Sequence, residues 1–476
     1  MKRLFFALML TIVGVVAKAE VKMPAFFDNN MVLQQSSDVA LWGEDAPGAK
    51  ISIRTSWGER AAAVADSDGK WRTSIKTLAA DNVPQSITVK GTSTKQIDNL
   101  LFGEVWLCSG QSNMLMRVAD KNATRQSVRG GNDDVIDSRN ASIRYFEVKR
   151  AAAAEAQSDL ESENGWQEAS PATTGNFSAT AYYFARRVNE VLDIPVGVIC
   201  TAWGATAIES WMDRETLSQF EGYSYLKNEK NSAKQHRGGW LYNAMINPFV
   251  GFEIKGFLWY QGERNRTIPH EYQPLLTTMI ESWRAKWGDD NLPFYYVQIA
   301  PFFESEKAIN SAFLREAQMK VMSSLEGVGM VSAIDIGEAT NIHPGRKREV
   351  GERLAYWALA KQYGFDAIGF SGPIYKSMSV KDGRATIAFD YGHNMLCYDD
   401  ELTGFEIAGE DRVFHPAKAE IAPKGSTVDV YSESVAVPVA VRYCFKKWAV
   451  GKLYNAYDLP ASSFRTDDWD DVGRQD

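Results

Sequence analysis

The sequence predicts an α/β protein whose central, doubly wound parallel sheet is flanked by β-rich regions at both ends. Three observations predict it. Between about 101 and 375, continuous apolar runs alternate with segments of helical spacing, the pattern of strands buried on both faces with helices between them. Before that stretch, short alternating runs are separated by turn signals, and the last hundred residues return to the same texture.

In chain order, Lys2 and Arg3, the apolar run from Leu4 to Val16 and the small residues around Lys18 form the three regions of a cleaved export signal, residues 1–19. The mature chain is expected to begin at Glu20 and to be periplasmic or secreted. Its apolar run is too short to span a bilayer, and no later stretch reaches the roughly eighteen apolar residues a transmembrane helix needs. Residues 20–100 carry Val39–Trp42, Lys50–Arg54 and Ser86–Lys90, punctuated by Asp45-Ala-Pro-Gly48 and Asp66-Ser-Asp-Gly69, which predicts a small β-sandwich. Residues 101–375 offer strands at Val105–Cys108, Pro195–Cys200, Ile254–Tyr260, Phe294–Ile299 and Gly329–Asp335. Helical spacing joins Ala181, Phe184, Ala185, Val188, Val191 and Leu192, and again Leu275, Leu276, Met279, Ile280 and Trp283. Residues 376–476 carry strand runs at Ala385–Phe389 and Val435–Val439.

Composition narrows the functional class. Hydrophobic residues make up 45% and charged residues 24%, which is globular rather than disordered. Without the three cations of the signal, 49 Lys and Arg stand against 60 Asp and Glu, a net charge of about −11, which argues against nucleic acid as a partner. Four cysteines in so long a chain do not make a disulfide framework. Cys108 and Cys200 fall in apolar strand runs and are expected as free thiols, whereas Cys397 and Cys444 could pair.

In a doubly wound sheet, ligands bind beyond the carboxyl ends of the strands. Four polar clusters fall at such ends: Ser112 after the first strand, Trp203-Gly204-Ala205-Thr206 after the second, Gln261-Gly262-Glu263 after the third, and Asp335 to His343 after the last. These are the parts acyl transfer needs. A serine hydroxyl is a poor nucleophile until a base takes its proton, and histidine is the side chain suited to that near neutrality. Of five histidines, His343 follows a strand and precedes the helix carrying Val350, Leu354 and Trp357. His236, His270, His393 and His415 suit structural roles better. Donors for an oxyanion are the N–H groups of Ser112 and Gly204 and the side-chain amide of Gln261. Ser112 is equally placed to start a helix. Glu104, Glu209 and Glu263 offer the carboxylates of a glycosidase, and Trp203, Trp211 and Trp240 the stacking faces of a sugar-binding protein.

Gly110-Gln-Ser-Asn-Met114, Trp203-Gly204, Trp259-Tyr-Gln-Gly-Glu263 and Asp335 with the later Ile342-His-Pro344 resemble, in this order, the sialate O-acetylesterase family of SGNH-type hydrolases. Leu241-Tyr-Asn-Ala-Met245, Gly404–Gly409 and Leu459–Thr466 extend the likeness over nearly the whole mature chain. The resemblance implies a flavodoxin-like SGNH sheet and a serine esterase with no metal or cofactor. Its substrate would be an O-acetylated sugar, with sialic acid the usual one and acetylated xylan the competitor. Ser112 matches the nucleophile, His343 the base and Gly204 the glycine of the second block. Thr340 stands where SGNH enzymes commonly carry an Asp three residues before the histidine, so the support of the base is open between Glu263, behind it Asp335, and a Ser–His dyad oriented by a backbone carbonyl. Gln111, Asn113, Arg264 and Arg266 are expected at the substrate, and Arg117, Arg264 or Arg266 could meet a sialic carboxylate.

Overall fold

The computed structural model describes residues 20–119, 128–227, 232–305, 307–423 and 425–469; the export-signal reading of residues 1–19 lies outside them. Seven strands form the spine of the largest sheet: β1 Thr94–Gly110, β2 Asn140–Val148, β3 Ser162–Ala169, β4 Val196–Ala202, β5 Gly256–Tyr260, β6 Phe294–Val297 and β7 Val328–Val331. They lie in the order β7-β6-β5-β1-β4-β2-β3. All neighbours are parallel except β2 and β3. The sheet is therefore mixed, and its edge pair β2 and β3 falls where no periodicity announced a strand.

Alternation along β1 explains why helices cover both faces. Val105 and Leu107 point into one core while Trp106 and Cys108 point into another, the period of two that a strand imposes. The second core is closed by α2, Ala179–Leu192, and α5, Lys347–Gln362. The first is closed by α3, Pro269–Trp287, and α4, Ala312–Val321. Cys108 and Cys200 are buried free thiols, as expected.

The N-terminal strands join this sheet rather than standing beside it. Lys50–Thr55, Arg60–Val64 and Gln85–Lys90 form an antiparallel set that ends on the first half of β1, and Val32–Gln34 pairs in parallel with Leu101–Gly103. The change of texture near residue 100 thus falls inside one continuous strand. Asp38–Glu44 and Lys70–Lys76 form a separate antiparallel pair.

After residue 373 the chain builds two four-stranded antiparallel sheets. Val435–Val439, expected as a strand, is not one; the strand begins at Ala440. Pro438 has no N–H for a ladder bond, and the run before it closes a turn with Val435 N–H bonded to Ser432 O. Cys397 and Cys444 do not pair; both are free thiols. No helix among the described residues is long and apolar enough to cross a membrane.

Candidate active site

Three strands end level with one another. Gly110 of β1 pairs with Ala202 of β4 on one side and Tyr260 of β5 on the other. Because the chain runs from β1 to β2 on one side of β1 and later passes from β4 to β5 on the other, a crevice opens at its carboxyl end. The chain leaves β1 through Gly110, whose φ is +142° and where a Cβ would lie 2.2 Å from Tyr260 O. Only glycine tolerates both constraints. Gln111 N–H then bonds Tyr260 O at 3.0 Å, and Ser112 opens the one-turn helix α1, Ser112–Leu115.

Ser112 Oγ lies 2.8 Å from Nε2 of His343. The loop holding His343 is braced from within. Asn341 Oδ1 accepts the His343 N–H at 3.0 Å and its Nδ2 donates to His343 O at 2.8 Å, while Glu338 accepts from Asn341 Nδ2 and from Gly345 N–H, each at 3.0 Å. Burial and the positive charge of Lys347 hold the His343 pKa below the ordinary histidine value, which keeps the ring neutral and able to accept a proton near pH 7.

The two candidate acids are placed differently from one another. Asp335 is held bidentately by Arg353, at 2.8 and 2.7 Å, with Arg346 at 3.9 Å. It ties the end of the sheet to α5. Glu263 is buried, and its Oε1 accepts from Asn113 Nδ2 at 2.5 Å while Oε2 has no hydrogen-bond partner among the described residues. Burial raises its pKa, against the hydrogen bond from Asn113 and the charge of Lys347.

Gly204 lies against the nucleophile: a Cβ there would come 3.4 Å from Ser112 Cβ. Its loop is pinned by Trp203 N–H to Gly110 O at 3.1 Å, and Ala205 takes a left-handed φ of +60°. The N–H groups of Ser112 and Gly204 bond no other described residue, as oxyanion donors require. Gln261 does not join them. Its amide donates to Thr206 O at 3.1 Å and Asn265 Oδ1 at 2.8 Å, and its carbonyl accepts from Tyr272, so it supports the Gly204 loop from beneath.

Gln111 and Asn113, expected at the substrate, are buried and spent internally. Gln111 Oε1 accepts from Gly262 N–H at 3.4 Å and Arg264 N–H at 3.3 Å. Asn113 joins Glu263, Ile342 O at 3.1 Å and Lys347. Among the arginines, Arg266 is engaged by Glu263 O at 2.8 Å and Glu304 at 2.6 Å, and Arg117 by Glu147 and Asn176, each at 3.4 Å. Arg264 is exposed, and its guanidinium has no hydrogen bond or ion pair among the described residues. Its charge helps burial keep His236 below the ordinary histidine value.

The carboxylates a glycosidase would need do not face one another. Glu104 lies at the other end of the parallel segment of β1, bonded to Gln34, Gln35 and Tyr363. Glu209 is fully buried against Asn265, and burial pushes its pKa up to about 7. Trp211 is fully buried as well, which removes it as a stacking face. A separate cavity of about 390 Å³, lined by Trp42, Trp71, Arg72 and Asp159 among others, shares no residue with this site.

Sequence reasoning missed Lys347. Its ammonium is wholly buried and donates to Asn113 Oδ1 at 2.9 Å and Pro344 O at 2.6 Å. A signal was present: Arg346-Lys347-Arg348 begins α5, where the helix dipole favours acidic residues.

Fold and site together define an α/β protein with a hydrogen-bonded Ser–His pair at the carboxyl edge of its sheet, the arrangement of a serine hydrolase. Residues 102–360 match the family model described as a carbohydrate esterase, sialic acid-specific acetylesterase. The chain is 26% identical to sialate O-acetylesterase of Mus musculus over 93% of each chain. With the human sialate O-acetylesterase it shares 25% identity over 90% of this chain and 88% of that one. The crystal structure of a carbohydrate acetylesterase from Xanthomonas citri superposes with a TM-score of 0.85 at 35% identity, covering 94% of this chain and all of that one. The chain belongs to the sialic acid-specific acetylesterase family of carbohydrate esterases.

Proposed function

We propose that this esterase hydrolyses O-acetyl groups on sialic acid through an acetyl-enzyme formed on Ser112. The observation that carries the mechanism is the 2.8 Å contact between Ser112 Oγ and His343 Nε2. His343 takes the hydroxyl proton as Oγ attacks the acetyl carbonyl carbon, and the N–H groups of Ser112 and Gly204 receive the oxyanion. Collapse breaks the ester bond, and the imidazolium returns the proton to the departing sugar oxygen. Water, deprotonated by His343, then releases acetate and restores Ser112. Because His343 must be neutral and its pKa is lowered, kcat/KM is expected to rise with pH along a limb below about 6.5.

Sialic acid is favoured over xylan by the names of the mouse and human relatives and by Arg264, whose exposed guanidinium bonds no other described residue and suits the sugar carboxylate. The strand order supports the SGNH arrangement: without β2 and β3, the strands run 2-1-3-4-5, the flavodoxin-like order. The pattern of residues 2–19 supports export to the periplasm or medium. The test is acetate release from O-acetylated sialic acid and from acetylated xylo-oligosaccharide. We expect the wild type to prefer the sialate and Ser112→Ala to lose at least about a thousandfold in kcat on either. Preference for the xylan would overturn the substrate, and an active Ser112→Ala the mechanism.

A further inference from the structure

His343 stands between two clamped peptides, and both clamps lead to one buried network. Asn113 Nδ2 donates to Ile342 O, the carbonyl before His343, at 3.1 Å. Lys347 Nζ donates to Pro344 O, the carbonyl after it, at 2.6 Å. The clamps are themselves joined, since Lys347 Nζ also donates to Asn113 Oδ1 at 2.9 Å, and Asn113 Nδ2 also donates to Glu263 Oε1 at 2.5 Å. Asn113 is the residue after the nucleophile. Any displacement of the histidine loop is therefore felt one residue from Ser112.

We propose that Lys347, acting through Asn113 and braced by Glu263, is the positioning residue that sets the His343 ring against Ser112. This rests on the Ser112–His343 reading above and adds what holds it in register. The groups facing the ammonium are Glu263 from the loop after β5, Tyr260 at the end of that strand with its ring 5.6 Å away, and Glu338 and His343 from the loop entering α5. Asn113 supplies a neutral amide from α1. The position is a costly one for a lysine. It is fully buried at the helix end that repels cations, and burial pulls its pKa down to about 7 against the opposing pull of Glu263 and Glu338.

Lys347 carries a positive charge near its own pKa and below it, where it disfavours a second positive charge on His343. Removing it must raise the pKa of the base and move the acid limb of kcat/KM to higher pH. The experiment compares the full-length wild type, Lys347→Met and the charge-neutral pair Lys347→Met with Glu263→Gln, using a small chromogenic acetyl ester from pH 5 to 9. Thermal melts confirm folding. The expected result for folded Lys347→Met is kcat lower by about 10- to 100-fold with KM within about twofold and the acid limb displaced upward. If the single variant does not fold, the pair is expected to show the same loss of kcat, with an acid limb displaced less because the loss of Glu263 offsets that of Lys347. Wild-type kcat with an unmoved limb would overturn the proposal. So would a loss that tracks a lowered melting temperature while the limb stays in place, or failure of both variants to fold, since each assigns Lys347 to stability alone. Absence of wild-type esterase activity would instead count against the function proposed above.

Discussion

Two buried charge clusters border the His343 loop, and they are built on opposite principles. On the sheet side, Asp335 and Arg353 satisfy each other with two short, parallel hydrogen bonds, the geometry in which a planar guanidinium meets a carboxylate best. On the nucleophile side, Glu263 and Lys347 are separated by the neutral amide of Asn113, and one Glu263 oxygen is left without a hydrogen-bond partner among the described residues. A saturated pair stabilises the fold and perturbs little around it. An incompletely satisfied pair leaves charge to act on a neighbour, and the neighbour here is His343.

The largest expected effect breaks the comparison on its stable side. Asp335→Asn leaves Arg353 buried without its counter-charge and should cost about 3–5 kcal/mol of stability, seen as a lower melting temperature and denaturant midpoint. The kcat of the molecules that remain folded should stay within about threefold of wild type. Glu263→Gln should do the reverse. Its amide oxygen can still accept from Asn113, so stability should change by about 1 kcal/mol or less, while kcat falls about tenfold. A variant pair that lost stability and activity in the same proportion would erase the distinction.

That distinction was not legible in the sequence. Asp335 and Glu263 both follow strands predicted to end on the same edge, and nothing in their spacing shows which one meets an arginine eighteen residues later on a helix. The positions that were legible are those fixed by chain direction and backbone chemistry. Ser112 follows a buried strand through a glycine, Gly204 follows the next strand, and His343 precedes a helix, so all three reach the crevice whatever their side chains do. Gln261, Gln111 and Asn113 also reach that edge, but their amides turn inward to partners such as Thr206, Arg264 and Lys347, which only tertiary structure assigns. The parallel sheet was readable from continuous apolar runs. The edge strand Ser162–Ala169 was not, because an edge strand with polar residues such as Ser162, Glu163 and Asn164 has no apolar period to display.

The smallest expected effect sharpens the contrast between the buried network and the exposed rim. Arg264→Ala should leave stability unchanged. It should reduce kcat/KM for O-acetylated sialic acid about five- to tenfold, mostly through KM, as expected for a charge-assisted contact at a wet surface. A neutral chromogenic acetyl ester should be unaffected. Equal losses on both substrates would remove Arg264 from carboxylate recognition.

The most direct test of the Ser112–His343 pair is to trap the covalent intermediate. Rapid acid quenching of enzyme mixed with excess chromogenic acetyl ester, followed by peptide mass analysis, should find the acetyl group on the peptide containing Ser112 and on Ser112 itself. It should be absent from His343→Ala treated identically. Acetyl transfer to another residue, or steady turnover by Ser112→Ala at the wild-type rate, would contradict it.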